Sequence, residues 1–299
     1  MRFIASLSTQ FTNRMLRSRF LKAGSYEQVW PADSDVFLPH MDAIDRIALL
    51  PGRQIYFASD FHLGTPGPAQ SREREAAVVR WLSAVEADAA AIFLVGDVFD
   101  FWFEYKHTIP KGYTRLQGKL AELADGGMPI TLFTGNHDMW MRQYFTDELG
   151  IPVYRQPRSY LLGTKQVLIG HGDGLGPGDH VYKRLKKVFE SGLAQQAFRW
   201  LHPDIGIGLA QAWSRRSRVS NMEKGEEEFR GEEHEWLWHY CREVEAQTHH
   251  DYYIFGHRHL PLDLSVSPTS RYINLGEWVY ARTYGVFDGE TVRLESFNG

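Results

Sequence analysis

Five short apolar runs that break in the same way constrain this chain more than any bulk property. "IYFASD" (55–60) ends in Asp60, with Phe61 and His62 after it. "AIFLVGD" (91–97) ends in Gly96 and Asp97. "ITLFTGN" (130–136) ends in Gly135 and Asn136 and runs on into His137 and Asp138. "VLIGHGD" (167–173) passes through Gly170 to His171, and "YYIFGHRH" (252–259) passes through Gly256 to His257 and His259. A short continuous apolar run is the pattern of a strand buried on both faces. Gly, Asn, His and Asp are poor strand formers, so each strand should stop where they begin. Any one such break is an ordinary turn. The same break five times in order asks for a common cause.

The segments between the first three runs are helical. "SREREAAVVRWLSAVEA" (71–87) has apolar residues at helical spacing, with Ser71 as a candidate N-cap. "TRLQGKLAELADGG" (114–127) ends in a glycine pair, a common helix stop. Strand–helix–strand alternation predicts a parallel sheet flanked by helices, with sites beyond the C-terminal ends of its strands. That topology gathers Asp60, His62, Asp97, Asn136, His171, His257 and His259. Imidazole with carboxylate favours Mn, Fe, Zn or similar divalent ions. Two such ions about 3.5–4 Å apart activate a water and neutralise phosphate charge during in-line displacement. A shared Asp at a strand end is a suitable bridging anion.

The single cysteine, Cys241, excludes an internal disulfide framework and a cysteine-rich zinc site. The formal charge of −4 does not point to nucleic acid as a partner. No apolar run is long enough to span a bilayer. Residues 1–50 read as an N-terminal extension, basic at its start (Arg2, Arg14, Arg17, Arg19, Lys22) and without the compact apolar stretch of a secretory signal. It is expected to be frayed, with a basic surface-binding arm as the alternative. Residues 51–299 form the main domain, with a helical insertion at 180–222. From 183 to 218, Lys183, Arg184, Lys186, Lys187, Arg199, Arg215, Arg216 and Arg218 stand against only Glu190 and Asp204. Phe189, Leu193, Phe198, Trp200, Leu201, Leu209 and Trp213 are interleaved. Such a segment offers an apolar trough with cations for phosphate, or an attachment to an anionic membrane. As an ordinary helical subdomain, Trp200 and Trp213 would be core. "EHEWLWHYCREVEAQ" reads as a further helix, and "FDGE" before "TVRL" as a hairpin.

The five blocks "SDFHLG", "GDVFD", "GNHD", "HGD" and "GHRH" resemble the calcineurin-like metallophosphoesterase superfamily, over about residues 55 to 260 and with the order intact. The resemblance implies an α/β fold, the four-layer α/β/β/α sandwich. It implies that Asp60, His62, Asp97 and His259 hold one metal and that Asp97, Asn136, His171 and His257 hold the other, with Asp97 bridging. His137 would stand by the leaving group as an acid or a phosphate-binding cation, and Asp138 would orient His137.

"HGDGLGPGDHVYKRLKKVF", followed by "WSRRSR", is similar to the UDP-2,3-diacylglucosamine pyrophosphatase family of lipid A biosynthesis. "FDFWFEY" after Asp97 is similar to that family too. The likeness implies a helical lid in the insertion and substrate contacts from Asp179, Tyr182, Arg215, Arg216 and Arg218. It implies two divalent ions, usually Mn²⁺ with Fe or Zn as alternatives, and a UDP-linked acylated glucosamine as substrate. It also implies a cytoplasmic enzyme, peripheral at the inner membrane. In the best-known branch the residue after the motif Asn is Arg, whereas here it is His137, as in generic phosphoesterases. Two alternatives stay open at this point: a phosphoesterase of another nucleotide, phosphodiester or phosphoprotein, and a metal-free protein-binding scaffold.

Overall fold

The computed structural model describes residues 44–176, 180–210, 212, 214 and 228–299, with backbone only at 180–182 and 185. Two six-stranded sheets face each other. One runs, in spatial order, β12 (Val292–Ser296), β11 (Thr283–Phe287), β2 (Gln54–Ala58), β3 (Ala89–Val95), β4 (Ile130–Phe133) and β5 (Val153–Tyr154). The other runs β1 (Asp45–Ile47), β6 (Arg158–Leu162), β7 (Lys165–Ile169), β8 (Tyr252–Phe255), β10 (Ser270–Leu275) and β9 (Pro261–Ser267). The sequence reading predicts one parallel sheet from the first three runs. Those three runs, β2, β3 and β4, are parallel in one sheet, and the last two runs, β7 and β8, are parallel in the other.

Alternation along each strand builds the layers. Ile55 and Phe57 point one way, into a core shared with Val167, Ile169, Tyr252 and Ile254 of the other sheet. Tyr56 and Ala58 point the other way, against α1 (Pro68–Val85) and α2 (Thr114–Asp125) through Val78, Trp81, Leu82, Leu116 and Leu120. On the far side of the second sheet, Leu168, Tyr253, Phe255 and Tyr272 pack on Leu237, Tyr240, Cys241 and Val244 of one helix, Trp236–Glu245. Burying one such large side chain contributes about 1.5–3 kcal/mol. The result is the four-layer α/β/β/α arrangement.

Several expectations shift. Helix α1 begins at Pro68, which suits the first helical turn, so Ser71 lies inside the helix and accepts a hydrogen bond from Gly64 N (2.8 Å) rather than capping. Asp45–Ile47, inside the segment read as an extension, is an edge strand, parallel to β6 and tied by Arg158 Nη2 to Asp45 Oδ2 at 2.9 Å. Residues 1–43 lie outside the described residues.

The insertion contains α4 (His180–Glu190) and α5 (Gly192–Arg199), and residues 203–210 are helical too. Ser191 Oγ caps α5 by accepting from Ala194 N at 3.2 Å. Phe198 packs against Phe103 and Trp140, with both centroid distances 4.7 Å, and Phe189 meets Trp140 edge-on at 6.0 Å. Trp200, read as core, is 83% exposed, and Leu193 is 86% exposed. Phe198 faces inward, and a residue two positions on falls on the opposite side of a helix. Trp213 lies outside the described residues. No helix among the described residues is long and apolar enough to cross a membrane.

The last helix, labelled α6 (Trp236–Glu245), ends in a carboxylate knot. Glu245 accepts from Tyr253 OH (2.7 Å), Ser270 Oγ (2.7 Å) and His250 N (3.1 Å), and lies 2.9 Å from His249 Nδ1. Burial raises its pKa, but these partners outweigh burial and hold it at about 2. A carboxylate depressed in the folded state contributes stability above its unfolded pKa, and that contribution is lost as pH falls through the folded value. Glu245→Ala should therefore destabilise the protein by about 2–4 kcal/mol at pH 7, since it strands several partners at once. Urea titration at pH 7 and at pH 3 checks this: the gap between variant and wild type should narrow at the lower pH.

Candidate metal centre

Each strand run delivers its polar residues to the same end of the facing sheets. Backbone bonds carry the pairing past the strands: Asp60 N to Gly96 O (3.0 Å), His62 N to Asp97 O (2.9 Å), and Gly256 N to His171 O (3.0 Å). Asp60, His62, Asp97, His257 and His259 all have positive φ, between 44° and 70°. That region is costly for residues with a Cβ, and five such residues at one place mark a site held in shape by its surroundings. Glycines make the room. A Cβ on Gly135 would collide with the carboxylate of Asp97 and with His171 Nε2, and one on Gly96 would collide with the His171 ring.

The side chains fall into two triads. Asp60, His62 and His259 form one, and Asp97, His171 and His257 form the other. His259 Nε2 lies 3.1 Å from Asp60 Oδ1 and 3.0 Å from His62 Nε2. Asp97 Oδ2 lies between the triads, 3.3 Å from His171 Nε2 and 3.8 Å from His62 Nε2. Its other oxygen accepts from His137 N at 2.8 Å. Asp60 Oδ1, Asn136 Oδ1 and His171 Nε2 are buried without a hydrogen-bond partner. Buried polar atoms are rarely left so. Clustered among imidazoles and carboxylates, they fit two divalent cations, and the donor set has no thiolate.

The electrostatics agree with that fit. Burial pushes Asp60 up, yet His259 and His62 outweigh it and hold the carboxyl well below its usual range. Burial also opposes ionisation of Asp97, but His171 and His137 draw it down. Burial lowers His62 to about 3 and His257 to about 4, the neutral form that can coordinate. His171 is the exception: burial lowers it, but Asp97 raises it more strongly, to about 10, so a cation bound there would have to displace a proton. Its Nδ1 lies 2.9 Å from Val95 O, and a carbonyl only accepts, so Nδ1 carries a proton and Nε2 is the nitrogen turned toward Asp97.

Six of the seven residues read as ligands fall into these triads, and Asn136 follows Gly135, which abuts Asp97 and His171. His137 stands beside them, its ring edge-on to His62 with centroids 4.9 Å apart. Asp138 does not orient it: its oxygens accept from Gly135 N (2.7 Å) and Phe99 N (3.3 Å), clamping the loop backbone instead. Asp179, Arg215, Arg216 and Arg218 lie outside the described residues, and Tyr182 falls on α4 with its side chain outside the description.

Other groups at the site escape sequence reading. Asp100 sits 3.5 Å from His137 Nδ1 and 3.8 Å from His62 Nδ1. The only signal for it is the second acid of "GDVFD". Arg74 of α1 donates to His62 O (2.7 Å) and Thr65 O (2.5 Å), bracing the loop after β2. Lys186 of α4 meets Asp173 Oδ2 at 2.7 Å and pins the insertion to the end of β7. Burial opposes both charges of that pair, but each holds the other ionised.

The family model described as Calcineurin-like phosphoesterase matches residues 53–261. A UDP-2,3-diacylglucosamine hydrolase from Porphyromonas gingivalis is 37% identical over 254 residues, covering 81% of this chain and 97% of the relative. One from Proteus mirabilis is 30% identical over 170 residues, covering 57% of this chain and 69% of the relative. One from Yersinia pseudotuberculosis is 26% identical over 246 residues, covering 81% and 98%.

Proposed function

We propose that this chain, which belongs to the calcineurin-like phosphoesterase family, hydrolyses the pyrophosphate of UDP-2,3-diacylglucosamine to UMP and 2,3-diacylglucosamine 1-phosphate, a step of lipid A biosynthesis. The observation that carries the reading is the 37% identity to a hydrolase named for that substrate, running over 97% of its length.

Asp60, His62 and His259 would hold one divalent cation, and Asn136, His171 and His257 the other, with Asp97 placed to serve both. Mn²⁺ is the proposed ion, since oxygen and imidazole donors without thiolate suit it, with Fe or Zn as alternatives. Bound cations supply Lewis acidity to the phosphates and activate water. The protein's own share is to exclude side reactions and place charge. His137, edge-on to His62, would contact a substrate phosphate next to the cations. Asp179, Tyr182 and one or more of Arg215, Arg216 and Arg218 are proposed to contact the substrate. The insertion acts as a lid: Val188, Leu193, Trp200, Ile205 and Leu209 are exposed apolar side chains for acyl chains or a bilayer, beside the basic Lys183, Arg184 and Lys187. Such a surface favours a peripheral position at the inner membrane.

A specific observation keeps a second reading, hydrolysis of another phosphodiester: His137 stands where the best-known branch has Arg. One assay separates them. UMP release from UDP-2,3-diacylglucosamine, with and without Mn²⁺, is compared with hydrolysis of a plain aryl phosphodiester. Mn²⁺-dependent release that strongly favours the lipid is the expected result. Activity on the aryl ester alone keeps the metal chemistry and discards the lipid.

A further inference from the structure

Among the described residues, the hydrogen-bonding contacts of the His137 ring are all made through Nδ1. Its Nδ1 lies 3.2 Å from the carbonyl oxygen of Asp100, 3.2 Å from Ser214 Oγ and 3.5 Å from Asp100 Oδ1. The carbonyl has no proton to give, so Nδ1 must be the donor. The Ser214 hydroxyl, in turn, donates to Asp100 Oδ1 at 3.0 Å, which turns its lone pairs toward His137. Every proton in this small network has a direction. Asp100 and Ser214 are 4% and 5% exposed, so water competes little for these contacts. The Asp100 backbone is fixed as well, its N–H donating to Leu63 O at 2.9 Å.

We propose that Ser214 is a positioning residue for His137: its hydroxyl, turned by Asp100, accepts from Nδ1 and fixes the ring's rotation, so that Nε2 is the nitrogen presented to the substrate phosphate. Ser214 belongs to the insertion, 114 positions from Asp100, so the insertion reaches the reacting centre through one hydroxyl. The proposal rests on the reading of His137 as a residue that touches substrate. It differs from a substrate contact by Ser214 itself, which would act on binding and independently of His137.

The test is a double-mutant cycle on the metal-loaded full chain, with UDP-2,3-diacylglucosamine as substrate. Ser214→Ala should lower kcat about three- to tenfold, the worth of one hydrogen bond to a reacting group, with KM within about twofold. Ser214→Thr keeps the hydroxyl and should restore most of the rate. In a His137→Ala background, adding Ser214→Ala should cost nothing further, because its effect passes through the missing ring. Metal content by elemental analysis and Tm should match wild type in Ser214→Ala, which separates positioning from damage to the site. A loss in KM alone, or equal losses with and without His137, overturns the positioning role. Wild-type turnover by His137→Ala overturns the catalytic reading of His137 and the positioning with it, so the two failures are told apart.

Discussion

Asp97→Asn should lower turnover of UDP-2,3-diacylglucosamine by at least about a thousandfold. A Lewis-acid centre supplies several kcal/mol of charge stabilisation, and about 4 kcal/mol corresponds to that factor. Asp97 is the acid with most to lose. Its Oδ2 faces His171 of one triad and His62 of the other, at 3.3 and 3.8 Å. Removing its charge weakens both halves of the site together. The asparagine variant is cleaner than alanine for two reasons. Asp97 has φ 50°, a region that Asn enters more readily than Ala. Asn also retains an oxygen to accept from His137 N, the 2.8 Å bond that ties the loop after β4 to the loop after β3. The expected result is a folded protein with reduced metal content, measured by elemental analysis, and UMP release near background. Near-wild-type turnover in the fully metal-loaded variant would remove Asp97 as the shared ligand.

The ligands are legible in the sequence because each is adjacent, along the chain, to the feature that places it. Asp60, Asp97, His171 and His257 each lie two residues past a strand end that the apolar runs announce, and Asn136 lies three past. What the runs do not carry is their division between sheets. β3 and β7 are similar apolar runs of five to seven residues, yet β3 pairs with β2 and β4 while β7 pairs with β6 and β8. β6 (Arg158–Leu162) has no polar switch at its end, and only its antiparallel pairing with β7 explains it. Exposure is a tertiary property too. Trp200 has the composition of a core residue, but Phe198 takes the inward face and leaves it in solvent. Asp100 and Ser214 are harder still. Their contact joins residues 114 apart, and neither local propensity nor periodicity encodes a contact of that range. Asp138 shows the opposite error. It sits next to His137 in sequence, yet its carboxylate is spent on the backbone of Gly135 and Phe99.

His137→Ala should lower kcat on the same substrate by about a hundredfold, the usual cost of losing one group that stabilises developing charge. The identity of the leaving group decides what His137 contributes. In a pyrophosphate the leaving group is itself a phosphate, whose second pKa is near 6, so it departs near neutral pH without needing a proton. A positive donor that holds the phosphate is then worth more than an acid. The geometry permits it: Nδ1 donates to Asp100 O and Ser214, which leaves Nε2 as the nitrogen that can face a phosphate oxygen. Arginine supplies a permanent cation with a planar fork for phosphate, but no transferable proton. His137→Arg should therefore recover the pyrophosphate reaction to within about tenfold of wild type. On an alkyl phosphodiester, whose alkoxide leaves poorly without protonation, the same variant should stay as impaired as His137→Ala. Measuring kcat for both variants on both substrates at saturating Mn²⁺ completes the comparison. If arginine fails on the pyrophosphate as well, His137 works by giving up its proton, and the acid role replaces the cation role.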